Sequence, residues 1–379
     1  MKKILIDARV LGRGKTSGIE EYTRLLIEYL FEIDSENEYT FFTNGLREPF
    51  FPSQWEKKEK VKRLKWRLPN KFLNLSFLVA RMPNVDAYAR ADIVFSPNIN
   101  ILSTSKKTKR IITFHDLSFI HFPEFYMLRS RFWFWFQSYR RQALKADRII
   151  ADSDFTAMDI ENTLSIPREK IVTVHCGINP FYKKIEEKEL ISDFRKTCKL
   201  EAPFLLFVGV LEPRKNIPSI IRSFSILKEK PQFSDLKLVI VGRKGWLYDT
   251  IFREAKSSRF ENDIVFWGNA SFEEIRFLYN ACEAFIYPSF FEGFGFPPLE
   301  AQACGAPVIS SNRSSIPEIL GSSALLTDPW KIGEQVSALE SVIGNSSMRG
   351  MLIKKGFENV KRFSWHKTAE KMLSLFKTL

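Results

Sequence analysis

Short apolar runs rich in β-branched and aromatic residues alternate along the chain with longer segments of helical periodicity. In the first half, such runs occupy residues 2–8, 38–43, 91–97, 110–116, 147–153 and 170–177. In the second half they are PFLLFVGVLEP, LKLVIVG, DIVFWG, EAFIYPS, APVISS and ALLTD. Near-continuous Val, Ile, Leu and Phe are typical of strands buried on both faces, and intervening helices are typical of parallel sheets. The pattern therefore predicts an α/β protein.

A polar, charged stretch around residues 178–202 interrupts this alternation, which resumes after it. The interruption predicts two Rossmann-like, doubly wound domains in tandem, over residues 1–180 and 181–357. The amphipathic segment at 358–379 is followed by no strand, so we expect a C-terminal helix whose apolar face packs on a domain already built. Ligands of open parallel sheets bind beyond the carboxyl ends of the strands, so two facing domains predict a site in the cleft between them.

Length and composition narrow the class of protein. The chain has 379 residues, enough for two ordinary domains, and its 45% of apolar residues suffices for large cores. No run approaches about 18 uncharged apolar residues, so we expect no transmembrane helix, and the N-terminal residues suggest a buried strand and no signal peptide. The four cysteines lack C-x-x-C spacing, which predicts reduced thiols in a cytoplasmic protein. The four histidines are not clustered, so we expect no metal site.

The net charge of +13 is concentrated in two segments that also carry aromatic residues. The first, at 57–83, has nine Lys and Arg against one acidic residue, and the second, at 128–142, is LRSRFWFWFQSYRRQ. Clustered cations with aromatic side chains are typical of proteins that bind an anionic membrane surface. Solvated helix faces with aromatic residues turned into the core are an equally good interpretation. We expect no nucleic acid partner, because no recognised nucleic-acid-binding motif accompanies the charge.

Two short motifs resemble functional sites but have simpler explanations. GRGKTSG at 12–18 lacks the glycine spacing of a Walker A motif, because Arg9 occupies the position of the first glycine. This segment follows the first strand and precedes a helix, so its amides could bind an anion at the helix N-terminus. Asp152 and Asp154 form a D-x-D pattern that is common in metal sites, but a helix N-cap explains this segment more simply.

Candidate chemistry lies in three loops, each of which follows a predicted strand. In TFHDLS, His115 ends a strand, where packing or capping is the commoner role of a histidine, although the position at the mouth of a sheet favours catalysis. In GVLEPRKNI, Arg214 and Lys215 follow the first strand of the second domain. A guanidinium beside an ammonium suits two adjacent phosphates, and a solvated basic turn explains the pair equally well.

The third loop, EGFGFPPLE, has a glutamate at each end with seven residues between them. Proline suits the first turn of a helix, so we expect a helix that begins near Pro297 or Pro298, with Glu300 in its first turn. Gly293 and Gly295 would let the backbone approach a ligand, and free amides at the helix start can bind a diphosphate. The second glutamate could accept hydrogen bonds from vicinal hydroxyls such as those of a ribose, or it could simply interact with the helix dipole.

In this order and spacing, the motifs resemble those of the retaining glycosyltransferases of family 4, which have the two-domain GT-B fold. SGIEEYT at 17–23 resembles the family's first glycine loop, FHDLS its histidine loop and LEPRKN its basic phosphate loop. EGFGFPPLE resembles the family's motif of two spaced glutamates, and FSWHKTAEKM resembles the closing segment that crosses back to the first domain. One departure is Glu20, where many members have a small residue.

The resemblance implies a retaining, metal-independent hexosyltransferase that uses a nucleotide sugar as its donor and has no cofactor. It implies that Arg214 and Lys215 bind the diphosphate, that Glu292 holds the transferred sugar, and that His115 lies near the sugar and the acceptor. The donor would also be bound by a second set of residues, namely Gly18, Gly293, Phe294, Gly295, Phe296 and Glu300. Among these, Glu300 would hold the nucleotide ribose.

The resemblance favours bacterial mannosyltransferases of surface polysaccharide and lipopolysaccharide synthesis, with GDP-mannose as donor and UDP- or dTDP-sugars as alternatives. The basic–aromatic segments suggest an oligosaccharide or lipid-linked acceptor and a peripheral location on the inner face of the plasma membrane. Besides an epimerase with the same GT-B fold, two other functions are compatible with the residues. One is a module that binds a sugar nucleotide without turnover. The other is a glycoside hydrolase that uses Glu292 and Glu300, which requires carboxyl groups about 5–5.5 Å apart.

Overall fold

The computed structural model describes residues 1–13, 17–46 and 50–379, without the side chains of residues 12 and 13. Residues 14–16 of the predicted anion-binding loop at 12–18 therefore lie outside the described residues. The strands are β1 Lys3–Asp7, β2 Glu38–Asn44, β3 Val61–Trp66, β4 Ile93–Ser96, β5 Lys109–Phe114, β6 Arg148–Ala151, β7 Ile171–Thr173, β8 Phe204–Val208, β9 Lys237–Val241, β10 Ile264–Gly268, β11 Ala284–Tyr287, β12 Val308–Ser311 and β13 Leu325–Thr327.

The helices connect these strands in the way that parallel sheets require. They are α1 Gly18–Ile33, α2 Ser53–Glu56, α3 Asn70–Val79, α4 Val85–Ala89, α5 Ser118–His121, α6 Leu128–Phe136, α7 Tyr139–Lys145, α8 Asp154–Leu164, α9 Lys188–Thr197, α10 Ile217–Lys228, α11 Asp249–Ser257, α12 Phe272–Ala281, α13 Phe296–Ala303, α14 Ile316–Leu320, α15 Ile332–Gly344, α16 Ser346–Val360 and α17 Trp365–Thr378. Among the described residues, no helix has both the length and the apolar character needed to cross a membrane.

The chain divides into two compact units, each built on its own parallel sheet. Unit 1 comprises Met1–Leu117, Leu128–Gly177 and Ser364–Leu379, and unit 2 comprises Ser118–Met127 and Ile178–Phe363. The sheet of unit 1 has the order β3-β2-β1-β4-β5-β6-β7, and that of unit 2 has the order β10-β9-β8-β11-β12-β13. All paired strands of both sheets are parallel. The predicted fold class, α/β with two Rossmann-like sheets, is confirmed.

The first basic–aromatic segment contains an edge strand that the sequence analysis did not predict. Val61–Trp66 pairs in parallel with β2, and the ring of Trp66 packs edge-on against Phe42 with centroids 5.0 Å apart. Leu64 also packs against the core of this unit. The mixture of cations and apolar residues in VKRLKW suits an edge strand, because charged side chains on the exposed edge discourage pairing with other chains. Part of the positive charge of this segment is therefore explained by its position on an edge strand.

The helices of the two basic–aromatic segments differ in how they use their aromatic residues. In α3, Leu73 and Phe77 are buried whereas Phe72 is 72% exposed. In α6 none of the residues is buried, and Phe132 and Trp135 are 63% and 68% exposed. Core packing thus explains one face of α3 and leaves the other face, and much of α6, open to solvent.

The last helix belongs to unit 1. Gly177 allows its close approach, because a Cβ at that position would lie 2.2 Å from the backbone nitrogen of Trp365. The hydroxyl of Thr368 donates to the carbonyl oxygen of His175 at 2.7 Å, and α17 packs along α1. The predicted segment 358–379 therefore contains the end of α16 and the whole of α17.

The segment Ser118–Met127 groups with unit 2, although the predicted boundary assigned it to the first domain. Aromatic packing explains this placement. Phe125 stacks on Phe290 with centroids 5.5 Å apart, and Tyr126 stacks on Trp246 at 5.7 Å. The indole N–H of Trp246 also donates to the carbonyl oxygen of Phe125 at 2.5 Å. Such contacts between residues distant in sequence cannot be predicted from the alternation of strands and helices.

Candidate active site

The basic pair follows the central strand of unit 2. All five residues of β8 are buried, so the strand fixes the start of the loop that carries Arg214 and Lys215. Pro213–Lys215 forms a single 3-10 turn, and Asn216 adopts the left-handed conformation with φ 53°, after which α10 begins. The backbone carbonyl of Arg214 accepts from the amide of Phe290 at 2.9 Å, which ties this turn to the loop after β11.

The guanidinium of Arg214 lies between two carboxylates. Its Nη1 donates to Glu292 Oε2 at 2.8 Å, and its Nε and Nη2 donate to Glu212 Oε1 at 3.1 and 2.9 Å. The ammonium of Lys215 donates to the other oxygen of Glu292 at 2.6 Å and to the hydroxyl of Tyr287 at 2.5 Å. Glu292 therefore bridges the two cations, one through each of its oxygens.

This network is buried and electrically balanced. Glu292 is 6% exposed, Lys215 is 7% exposed, and two cations face two carboxylates. Burial alone would raise the pKa of Glu292, but Arg214 and Lys215 lower it to about 2. Burial and the neighbouring Arg214 lower the pKa of Lys215, against the opposite effects of Glu292 and Glu212. Glu292 is consequently ionised at neutral pH, and it fixes the positions of both cations.

The turn after Glu292 depends on one glycine and two serines. Gly295 has φ 97°, a left-handed conformation that favours glycine, and a Cβ there would lie 2.8 Å from Cδ1 of Ile316. The hydroxyl of Ser314 accepts from the amide of Glu292 at 2.8 Å, and the hydroxyl of Ser315 donates to the carbonyl oxygen of the same glutamate at 2.9 Å. The serine hydroxyls thus fix the backbone position of Glu292.

The helix α13 begins earlier than predicted, and this moves Glu300. The helix starts at Phe296, one residue before the first proline, because Gly295 turns the chain into it. Glu300 is therefore the fifth helical residue, and the prediction that it lies in the first turn is wrong. It is 8% exposed, and its Oε2 accepts from the hydroxyl of Tyr279 at 3.1 Å.

Few amides are available at this helix start. Pro297 and Pro298 have no N–H group, so they cannot donate to an anion. The amides of Gly295 and Phe296 have no hydrogen-bond acceptor within the part of the chain that the structure describes. The predicted donor-binding residues Gly293 and Phe294 precede these two amides in the same turn.

The remaining candidates belong to unit 1. Nδ1 of His115 lies 2.7 Å from Asp152 Oδ2, and Nε2 lies 2.9 Å from the carbonyl oxygen of Pro97. Both partners are hydrogen-bond acceptors, so this arrangement favours the doubly protonated form of the ring. Burial alone would lower the pKa of His115, but the Asp152 carboxylate raises it. Gly18 is the first residue of α1.

The D-x-D segment caps a helix, but through its serine. The hydroxyl of Ser153 accepts from the amide of Thr156 at 3.1 Å, and Asp154 is the first residue of α8. Asp152 instead pairs with His115, as described above. The prediction of a cap was right for the segment and did not identify the role of its first aspartate.

The structure brings Arg214, Lys215 and Glu292 into direct contact, and it places Glu300 in the same unit. Sequence reasoning missed two of their partners, Glu212 and Tyr287. Both were within reach, because Glu212 belongs to the LEPRKN motif and Tyr287 ends the predicted strand EAFIY. The spacing of two residues between Glu212 and Arg214 was the available indication of an ion pair.

Comparisons with known proteins agree with this architecture. Residues 16–180 match the family described as Glycosyltransferase Family 4, and residues 191–359 match Glycosyl transferases group 1. The O-antigen chain mannosyltransferase B of Escherichia coli is 28% identical over 301 residues, which are 78% of this chain and 78% of that protein. The serotype-specific mannosyltransferase WbdA of Escherichia coli is 26% identical over 286 residues, which are 75% of this chain and 35% of that longer protein. HepE of Anabaena, solved in complex with UDP and glucose, is 19% identical and has the same fold, with a TM-score of 0.76 and 100% of both chains covered.

Proposed function

The chain belongs to the group 1 glycosyltransferases with the GT-B fold, and from that premise we propose that it transfers mannose from GDP-mannose to a growing surface polysaccharide. The observation that carries this proposal is the buried network of Arg214, Lys215 and Glu292 after the central strand of unit 2. The choice of mannose and of an O-antigen-type acceptor is supported by the names of the two relatives in Escherichia coli.

In the proposed mechanism, the bond between the anomeric carbon and the diphosphate breaks, and negative charge develops on the departing diphosphate. The acceptor hydroxyl forms the new bond to the anomeric carbon and gives its proton to that diphosphate. Arg214 and Lys215 stabilise that charge, and fixed cations in a water-poor site contribute strongly because they need no reorganisation during the reaction. Glu292 and Glu212 hold the cations in place. Glu300 accepts hydrogen bonds from the ribose hydroxyls, and the amides from Gly293 to Phe296 contact the phosphates.

We further propose that the anomeric configuration is retained and that no divalent cation is required. Glu292 then orients the sugar and does not attack it, because both of its oxygens are bonded to cations. Trapping a covalent adduct on Glu292 would contradict this role. Full turnover in the presence of EDTA, with an α-linked product from the α-linked donor, is the expected result.

Two variants test the role of the basic pair. Arg214→Ala and Lys215→Ala are each expected to lower kcat about 10²–10³-fold, since loss of one charge-stabilising donor typically has that effect. Arg222→Ala is a matched control, because Arg222 pairs with Glu254 on the exposed side of α10. Transfer from or hydrolysis of GDP-mannose is measured. Turnover that stays near the wild-type value in both active-site variants would refute the proposal.

The identity of the donor is tested by thermal unfolding with GDP-, UDP- and dTDP-sugars. A ligand that binds only the folded state raises the midpoint, so GDP-mannose is expected to raise it most. A larger shift with UDP-glucose would overturn the choice of donor and leave the reaction class intact.

We propose that the acceptor is lipid-linked and that unit 1 contacts an anionic membrane surface through exposed aromatic residues such as Phe132 and Trp135. A Phe132→Ser/Trp135→Ser variant is expected to bind less to phosphatidylglycerol vesicles at low salt. Leu190→Ser, at a half-exposed position of α9 in unit 2, is the control. Equal binding of the two variants would exclude this surface.

A glycoside hydrolase fits the electrostatic environment of Glu292 less well. A pKa of about 2 leaves Glu292 without a proton to donate at neutral pH, and its two ion pairs weaken it as a nucleophile. A hydrolase would also leave the basic loop unexplained.

A further inference from the structure

Unit 1 contains a basic cavity that none of the candidate active-site residues lines. Its volume is about 500 Å³, and its wall is formed by parts of α3, α7 and the segment between β4 and β5. Five of the side chains in this wall are cationic, namely Arg81, Lys106, Arg110, Arg141 and Lys145. We refer to this feature as the basic cavity.

The cations of the basic cavity are not neutralised from within. In the described part of the chain, none of the five forms an ion pair with a carboxylate. Asp147, the one acidic residue of the described wall, pairs with a cation outside the wall and with a backbone amide. Its Oδ1 accepts from Lys109 at 3.0 Å, and its Oδ2 accepts from the backbone amide of Arg110 at 2.9 Å. The cavity therefore holds more positive than negative charge, and no ion pair in the described part of the chain neutralises its five cations.

The cations of the cavity repel one another, and the pKa of Lys145 reflects this repulsion. Burial lowers the pKa of this lysine, and the neighbouring cations of the cavity, Arg141, Arg81, Arg110 and Lys106, lower it further. A protein does not gain stability from such an arrangement, because like charges at short range are destabilising. An anion in the cavity would convert this repulsion into attraction.

Arg110 is the buried member of the group. It is 5% exposed, and its Nε has no hydrogen-bond partner among the described residues. Its Nη2 donates to the side-chain oxygen of Gln142. The amide of Gln142 is itself fixed, because its Nε2 donates to the carbonyl oxygens of Ile99 and Gln137 at 2.9 and 2.8 Å. Arg110 is thus a positioned guanidinium with an unsatisfied donor, and buried donors are rarely left without an acceptor.

We propose that the basic cavity binds a phosphate group, with Arg110 and Arg141 as the guanidinium donors and Lys106 and Lys145 as surrounding cations. The planar guanidinium matches a phosphate through two parallel hydrogen bonds, and several cations around one phosphate are typical of phosphate-binding sites. The phosphate belongs either to a lipid headgroup or to a soluble phosphorylated compound. The recognition chemistry is the same for both.

The basic cavity is separate from the candidate catalytic histidine of the same unit. Arg110 is near the start of β5 and His115 follows its end, so about 16 Å of strand separates their backbones. The inference therefore does not rest on the proposed transfer reaction, and its test requires no turnover.

The test compares two double variants with the same loss of charge. Lys106→Gln/Arg141→Gln removes two cations of the cavity, whereas Lys107→Gln/Arg140→Gln removes their sequence neighbours, which do not line it. All four positions accept a polar residue without cavity formation in the core, so both variants are expected to fold. Arg110→Gln is a third variant, used if its circular dichroism matches the wild type.

Two binding measurements distinguish the sources of the phosphate. In the first, inorganic phosphate is titrated calorimetrically at constant ionic strength. In the second, the protein is sedimented with vesicles of phosphatidylglycerol and phosphatidylcholine, or of phosphatidylcholine alone. We expect the cavity variant to lose at least about tenfold in affinity in one measurement, while the neighbour variant stays within about twofold of the wild type.

Each outcome of these two measurements either supports phosphate binding by the basic cavity or contradicts it. Cavity-dependent binding of inorganic phosphate identifies a soluble ligand class, and cavity-dependent binding of the anionic vesicles alone identifies a lipid headgroup. Equal behaviour of the two double variants in both measurements would overturn the proposal, since the effect would then be one of net charge only.

Discussion

Basic side chains converge at two places in this protein, and the two places differ in what balances them. In unit 2, Arg214 and Lys215 share the carboxylate of Glu292, and Glu212 completes a balanced group. In the basic cavity of unit 1, five cations lie without an ion-pairing carboxylate in the described chain. Both groups contain a buried member.

The difference separates two ways of preparing a site for an anion. Cations that are held by internal carboxylates are already oriented, and an incoming phosphate has to compete with those carboxylates. Cations without a counter-ion attract an anion more strongly, but they lower the stability of the free protein. Stability measurements on the free protein therefore distinguish the two groups without knowledge of any ligand.

The largest expected change in the free energy of unfolding comes from the ion-paired group of unit 2. Glu292→Gln removes the charge that bridges Arg214 and Lys215 and leaves both cations buried. We expect the free energy of unfolding to fall by about 3–5 kcal/mol, as for other buried pairs that lose one partner. Chemical denaturation measures it. Glu186→Gln, at an exposed pair with Lys184, is the control and is expected to change stability by less than about 0.5 kcal/mol.

Lowering the pH should remove the stabilisation that the Glu292 carboxylate gives to the wild-type protein. The pKa of Glu292 is lowered from 4.5 to about 2 in the folded state, which corresponds to about 3 kcal/mol. A lowered folded pKa contributes stability above pH about 4.5, and that stability is lost as the pH falls toward 2. The difference in unfolding free energy between wild type and Glu292→Gln is therefore expected to shrink over this interval. A constant difference between pH 6 and pH 2 would contradict the assignment.

In the basic cavity, removal of the buried cation should cost little. Arg110→Met keeps a side chain of similar length, relieves the burial of an unpaired charge and loses the hydrogen bond to Gln142. These effects oppose each other, so we expect the free energy of unfolding to change by less than about 1 kcal/mol. Arg140→Met, outside the cavity, is the matched control. A loss as large as that of Glu292→Gln would show that Arg110 has a hidden structural partner.

The smallest expected effect is a gain in stability. Lys145→Glu places a carboxylate among the cations of the cavity, and we expect stability to rise by about 0.5 kcal/mol at low salt. The gain should vanish near about 1 M salt, where the screening length falls to about 3 Å. Denaturation curves at both salt concentrations measure it, and Lys107→Glu is the control outside the cavity. A gain that persists at high salt would point to a cause other than the electrostatics of the cavity.

Much of the candidate site was accessible from the sequence because its motifs are local. Arg214 and Lys215 are adjacent, and Glu292 and Glu300 are joined by one turn, so their order and their positions after strands were visible without a structure. The pairing of Glu292 with the basic loop was not visible, since 77 residues separate Glu292 from Lys215. Glu300 lies beyond the first turn of α13 because the left-handed conformation of Gly295 starts the helix at Phe296, before the prolines.

The same limit applies to the fold. Alternating apolar runs predicted two parallel sheets, but the edge strand Val61–Trp66 was missed because its apolar residues are diluted by lysine and arginine. The segment Ser118–Met127 groups with unit 2, whereas the prediction placed it in the first domain, because its aromatic partners Trp246 and Phe290 are remote from it in sequence. Edge strands and long-range aromatic contacts produce no clear pattern among neighbouring residues of the sequence.

The sequence by itself determined the class of the protein, the number of its sheets and the loops that hold the candidate site residues, because periodicity, turn residues and adjacent charges are properties of neighbouring positions. Tertiary structure alone decided which charges are balanced. The carboxylate of Glu292 reaches Arg214 and Lys215, whereas no carboxylate of the described chain pairs with the five cations of the basic cavity. Electrostatic balance depends on distances in space, and those distances are set only when the sheets bring remote loops together.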